Sequence, residues 1–121
     1  MALESACTLS TLLGHTFNVT ELPDILALYQ SLRVPRARRT RRRSEQMHDM
    51  CQLVEGSAQR ERDKVLQDNK PRQGFPNPWA DPEFQEWMWA FDARATAESA
   101  WEDFSFKKMK IQALKESGNG T

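Results

Sequence analysis

The chain has 121 residues, 39% of them hydrophobic and 28% charged, with zero net charge and two cysteines. That length fits one small domain with little core to spare, and the apolar fraction lies below the ~45–50% of ordinary globular chains. No apolar run approaches the ~20 residues of a membrane span, no basic leader is visible, and Cys7 and Cys51 form no CxxC, so the expected setting is reduced and cytoplasmic with no membrane partner.

Residues 2–13 read as a first helix, with Leu3, Ala6, Cys7, Ser10 and Leu13 at helical spacing, Leu9 and Leu12 widening the stripe, and Gly14 as a stop. So apolar a helix calls for burial on most of its circumference, yet no N-cap precedes it. Thr20 is the expected cap of a second helix, whose stripe is Leu22, Ile25, Leu26, Tyr29 and Leu32. Pro35 is expected to break or kink that run.

A third helix is expected to start at the arginine run, with Pro35 in its first turn. Seven arginines lie between Arg33 and Arg43 with no acid among them, leaving ten basic against seventeen acidic residues elsewhere. Ala37, Ser44 and Cys51 share one line of that helix, and Thr40, Met47 and Val54 the adjacent one. This predicts a narrow packed seam of small and apolar residues, with the arginines on the solvated face. Gly56 should end the helix, and Ser57 should cap a fourth, mostly polar one anchored by Ala58, Val65 and Leu66.

Residues 69–82 carry four of the six prolines and read as a loop. Asp81 followed by Pro82 is a cap and first-turn pair opening a short helix through Phe84, Trp87 and Met88. Asp92 should cap the next, with Ala93, Ala97, Ala100, Trp101 and Phe104 along one side. The fold class is therefore all-α: amphipathic helices joined by short loops and one proline-rich loop, incomplete without a sheet domain. The expected organisation is a helical segment 1–68, the loop 69–82, aromatic and acidic helices over 83–116, and a frayed tail 117–121.

Chemistry is represented mainly by absences. Five scattered glycines cannot form a dinucleotide fingerprint or phosphate loop, and there is no GxSxG or HExxH. His48 and Cys51, even with Cys7 and His15, lack the spacing of a zinc set, so no metal site and no catalytic or cofactor-binding residue is expected. Phe84, Trp87, Trp89 and Phe91 read as a docking surface, since consecutive positions 87–89 cannot all face one side of a helix. Arg38, Arg39, Arg41, Arg42 and Arg43 are the candidates for nucleic-acid contact. Against that stands an acidic block, seven acids between Asp81 and Asp103 opposed only by Arg94, which offers an internal counter-charge.

Four elements in order resemble FAD-dependent aromatic hydroxylases similar to salicylate hydroxylase, particularly fungal members. Ala2, Glu4, Ser5 and Ala6 stand where the family has a helix following its last flavin-contacting glycine loop. Tyr29, Arg33, Pro35-Arg36-Ala37 and Ser44 match a tyrosine, an arginine, a P-R-A and a serine; Gln59 with Arg62-Asp63 matches Q-x-x-RD. NPWADPEFQEWMWAFDA resembles the family's terminal proline loop and D-P-x-F-Q-x-W-L-W-x-Y-D-A element, departing at Met88 and Phe91. The resemblance covers about residues 1–104 and implies FAD as the family's cofactor. The family's FAD-binding fingerprint, DG segment and GD motif are absent from this chain. The expectation is thus a C-terminal remnant, not catalytic alone, whose partners are a flavoprotein subunit or a second copy.

Overall fold

The computed structural model describes residues 1–16 and 18–118. Among them are five α-helices and no strand, so the all-α expectation holds. The helices are α1 (Ala2–Leu13), α2 (Leu22–Cys51), α3 (Ser57–Asp68), α4 (Pro82–Trp89) and α5 (Ala93–Gly118), with 3-10 turns at Val19–Glu21 and Pro78–Ala80. Ser117 and Gly118 close α5, and residues 119–121 of the expected tail lie outside the described residues. The chain divides into two compact units: Met1–Pro35 with the segment from Asp92 through α5, and Arg36–Phe91.

The first unit has an aliphatic core. Leu12 of α1, Ile25 of α2 and Ala97 of α5 are fully buried, with Leu28, Tyr29, Leu32 and Trp101 packed around them. Ala97 matters by being small, since it lets α1 approach α5 closely. The stripe expected on α2 is thus partly realised, but Leu22 and Leu26 at its margin remain exposed. Burial of α1 is also narrower than its composition suggests, with Leu3 87% exposed while Thr8 is buried. Thr8 tolerates burial because its hydroxyl donates to the Glu4 carbonyl at 2.8 Å.

Helix entry before α2 is set by Asn18 rather than Thr20. The Asn18 Oδ1 accepts from the Thr20 amide at 3.0 Å, so Thr20 falls inside the 3-10 turn and α2 begins two residues later. The expected break at Pro35 does not occur, and the second and third predicted helices are one 30-residue helix. Proline removes a single ladder bond, the one that would reach the Ser31 carbonyl, at a cost of about 3 kcal/mol. Leucine, alanine, arginine and glutamine on both sides favour continuation. The arginines flanking Pro35 are also anchored, Arg33 onto α1 and Arg36 onto α4. Replacing the exposed Pro35 by alanine restores the donor and is expected to stabilise the chain by about 1–2 kcal/mol. A thermal melt followed by circular dichroism should show the rise, and an unchanged midpoint would mean that the proline is accommodated without cost.

The helix also ends earlier than expected, at Cys51, and Gly56 serves as the uncapped entry to α3 while Ser57 is its first residue. The C-terminal end of α2 is finished by Arg62 of α3, whose Nη1 donates to the Met50 carbonyl at 2.7 Å. Asn69 ends α3 in the left-handed region, φ 43°, which asparagine tolerates better than most residues. Asp81 and Asp92 act as expected: Asp81 Oδ1 accepts from the Phe84 amide at 3.1 Å, and Asp92 Oδ1 from the Ala95 amide at 2.9 Å.

Candidate functional site

The predicted seam is inverted. Ala37, Ser44, Cys51 and Val54 are exposed, and Thr40 and Met47 are only half-buried. The packed side of α2 in the second unit is formed instead by arginines, with Arg36 6% exposed and Arg43 half-buried. Arg36, Arg39 and Arg43 recur at intervals of three and four and therefore share one helix face. That face meets the segment from Phe75 to Phe91.

Each arginine meets an acceptor and an aromatic ring. Arg36 donates through Nη1 to the Trp87 carbonyl at 3.0 Å and through Nη2 to the Met88 carbonyl at 2.9 Å. Those carbonyls belong to the last turn of α4, where intrahelical donors have run out. Its guanidinium also lies 4.2 Å from the Trp87 ring centroid and 3.8 Å from that of Phe91. Arg39 donates to Glu83 at 3.2 Å and lies over the Trp87 ring at 4.3 Å. Arg43 donates through Nη2 to the Phe75 carbonyl at 2.8 Å and to Asp81 Oδ2 at 3.0 Å.

Asp81 is the hub of this arrangement. It is 4% exposed and accepts from the Phe84 amide, from Arg43 and from the Gly74 amide at 3.0 Å. Gly74 donates from φ 73°, a conformation that residues with a side chain rarely adopt. Charge, cap and turn thus converge on one carboxylate. The internal counter-charge expected from the acidic block is present here in Asp81 and Glu83.

The residues singled out from sequence fall into two sets. Phe84 is buried and stacks on Trp87 at 5.6 Å, while Trp87 and Phe91 are half-buried under Arg36. Trp89 is 71% exposed and donates its indole N–H to Gln85 at 2.7 Å. Three of the four expected docking residues therefore dock on the arginine face of α2, and Trp89 does not. Beside them runs an apolar groove of about 320 Å³ lined by Met47, Pro78, Trp79, Phe84, Met88 and Trp89 among others. Of the candidate nucleic-acid contacts, Arg39 and Arg43 are engaged as described and Arg41 pairs with Glu45 at 2.8 Å, leaving Arg38 and Arg42 exposed. The buried roles of Arg33, Arg36 and Asp81 are not visible in local periodicity. For Asp81 the sequence shows the cap before Pro82 but not the ion pair with Arg43.

In the first unit, Arg33 plays the corresponding part. It is 4% exposed and donates to Glu4 at 3.0 Å and to the Ser5 hydroxyl at 3.1 Å, fastening α2 to the first turn of α1. His15 stacks on Trp101 with centroids 5.0 Å apart and meets Glu98 at 2.7 Å. The Thr16 hydroxyl donates to Glu21 at 2.6 Å and Lys108 to the same carboxylate at 3.1 Å. Together they hold the Glu21 carboxyl below its ordinary value, and Glu21 in turn raises that of Lys108.

Most of these donors and acceptors satisfy one another; among the described residues, the Arg43 Nε is buried without a hydrogen-bond partner. Among the described residues no three His, Cys, Asp or Glu side chains gather as a metal site, and no helix is long and apolar enough to cross a membrane. Cys7 is half-buried, Cys51 is exposed, and neither is in a disulfide.

No protein-family model matches the chain. Over 100 residues, 82% of its length, it is 29% identical to the FAD-dependent monooxygenase OpS4 of Beauveria bassiana. The match spans 23% of that fungal protein, so the chain corresponds to about a quarter of the relative's length.

Proposed function

We propose that the chain is the C-terminal helical portion of a FAD-dependent aromatic hydroxylase of the salicylate hydroxylase type. It serves as a scaffold for a flavoprotein of fungal aromatic or polyketide metabolism, in the cytoplasm, and does not catalyse alone. The observation that carries this reading is the similarity over 100 residues to a fungal FAD-dependent monooxygenase. The contacts within each unit agree with it. Arg33 is bound to Glu4 and Ser5, and Arg36 to Trp87 and Met88, so the two arginines of one element hold two further elements of the same resemblance.

The described residues do not fit FAD themselves. A dinucleotide site needs a strand, a glycine turn and a helix N-terminus facing a pyrophosphate. Here there is no strand among the described residues, and Gly74, whose φ of 73° lies in the left-handed region, turns its amide toward Asp81. No catalytic step is therefore assigned to this chain.

The test is complementation. The Beauveria monooxygenase, deleted of its matching segment, is expressed with and without this chain. Co-purification and restored flavin retention are expected. Retention of flavin by this chain alone, with oxidation of NAD(P)H, would overturn the scaffold reading. Binding of nucleic acid through Arg38, Arg39, Arg41, Arg42 and Arg43 has less support, because Arg39 and Arg43 are already matched by carboxylates.

A further inference from the structure

Helix α5 has two faces. One packs inward through Ala93, Ala97, Trp101 and Phe104. The opposite face carries Ala95, Ser99, Glu102, Phe106, Met109 and Ala113, which follow one another at alternating intervals of four and three. That is a heptad spacing, the spacing of a seam between paired helices. All six are exposed, and the two largest, Phe106 and Met109, are 66% and 63% exposed. None of the six belongs to the core of the first unit, and among the described residues their side chains make no hydrogen bond, ion pair or ring contact.

The charge pattern along α5 selects its occupant. On one flank of the seam, Asp103 stands in the N-terminal half of α5 and Lys110 one heptad further on, in the C-terminal half. A second α5 laid parallel would set acid against acid and base against base. Laid antiparallel, it sets each acidic half against a basic half.

We propose that α5 is a homodimerisation surface, pairing antiparallel with α5 of a second copy of this chain. In the register that places large against large, Phe106 packs on Met109 of the second copy, and by the two-fold axis the reverse contact forms beside it. Glu102 then lies opposite Ala113, whose small side chain leaves room for it. On the flank, Asp103 meets Lys110 of the second copy, again twice. Lys108 is not required, because it is held by Glu21. The proposal does not rest on the flavoenzyme reading, since it uses only the exposed side of one helix.

Sedimentation equilibrium on the full chain tests it, with circular dichroism as a check on helix content. Wild type is expected to show a concentration-dependent dimer. Asp103→Lys and Lys110→Asp should each weaken dimerisation roughly tenfold, because each sets like charges against one another twice. The double variant, or an equimolar mixture of the two single variants, should recover it. That recovery is specific to an antiparallel arrangement in which position 103 faces position 110. A monomer at every concentration would overturn the proposal. So would a dimer indifferent to single reversal, or a double variant no better than the singles.

Discussion

Arg36→Ala is expected to destabilise the unit Arg36–Phe91 by about 3–5 kcal/mol, enough to unfold it under conditions where the rest of the chain persists. The variant loses two charge-assisted hydrogen bonds and leaves the Trp87 and Met88 carbonyls without their side-chain donor at the end of α4. It also loses the guanidinium lying against Trp87 and Phe91, which contributes about 1–2 kcal/mol when desolvated. Lysine is not a substitute, because one ammonium cannot span two carbonyls while lying flat on two rings. Arg36→Lys is therefore expected to recover less than half of the loss. Three of the four tryptophans, Trp79, Trp87 and Trp89, lie in this unit. Urea unfolding followed by fluorescence in a Trp101→Phe background reports on it selectively. A shift below about 1 kcal/mol would mean that other contacts hold α4 in place.

Asp81→Ala should cost about 3–5 kcal/mol, by the mechanism that makes removal of one member of a buried ion pair expensive. Three donors lose their acceptor at once: the Phe84 amide, the Gly74 amide and Arg43. Arg43 is the most sensitive of them, because its Nε is buried with no hydrogen-bond partner among the described residues. Asp81→Asn keeps an oxygen for the Phe84 amide but presents an NH2 group to Arg43 and Gly74. Its cost should fall between those of alanine and wild type. The same fluorescence-detected unfolding decides the order, and an asparagine variant as stable as wild type would show that the charge on Asp81 contributes nothing.

Sequence patterning identified much of the helical framework and missed which side of α2 faces inward beyond Pro35. Features set by neighbours within a few residues were readable: the extent of α1 and α3, the caps at Asp81 and Asp92, and the packed side of α5 through Ala93, Ala97 and Trp101. Asn18 displaced Thr20 as a cap because both residue types accept from a nearby amide, and only the backbone path chooses between them. The inversion of the arginine face has a different origin. Periodicity arguments treat arginine as a solvated residue, so Ala37, Thr40, Ser44 and Met47 were the natural candidates for the interior. A guanidinium is stable inside when carbonyls, carboxylates and ring faces surround it, and here those come from Phe75, Asp81, Glu83, Trp87 and Phe91. That segment lies beyond the reach of any local window. Of the candidate site, Phe84, Trp87, Trp89 and Phe91 were singled out as an aromatic docking surface, but the arginine face that Phe84, Trp87 and Phe91 pack against was taken for the solvated one.

The division of the chain also sets an order of events during synthesis. The unit Arg36–Phe91 is contiguous, whereas the other is assembled from both ends of the chain. As the polypeptide emerges at ~5–20 residues per second, Leu12 and Ile25 become available long before Ala97, the residue that completes their core. The middle of the molecule can close while α1 still has no α5 to meet. Joining the ends then closes a loop that is already shortened, because a folded unit spans most of it, and the entropic cost is lower than for a fully flexible connection. The arginine contacts on α4 lie wholly within the contiguous unit, so every residue they need is made before α5.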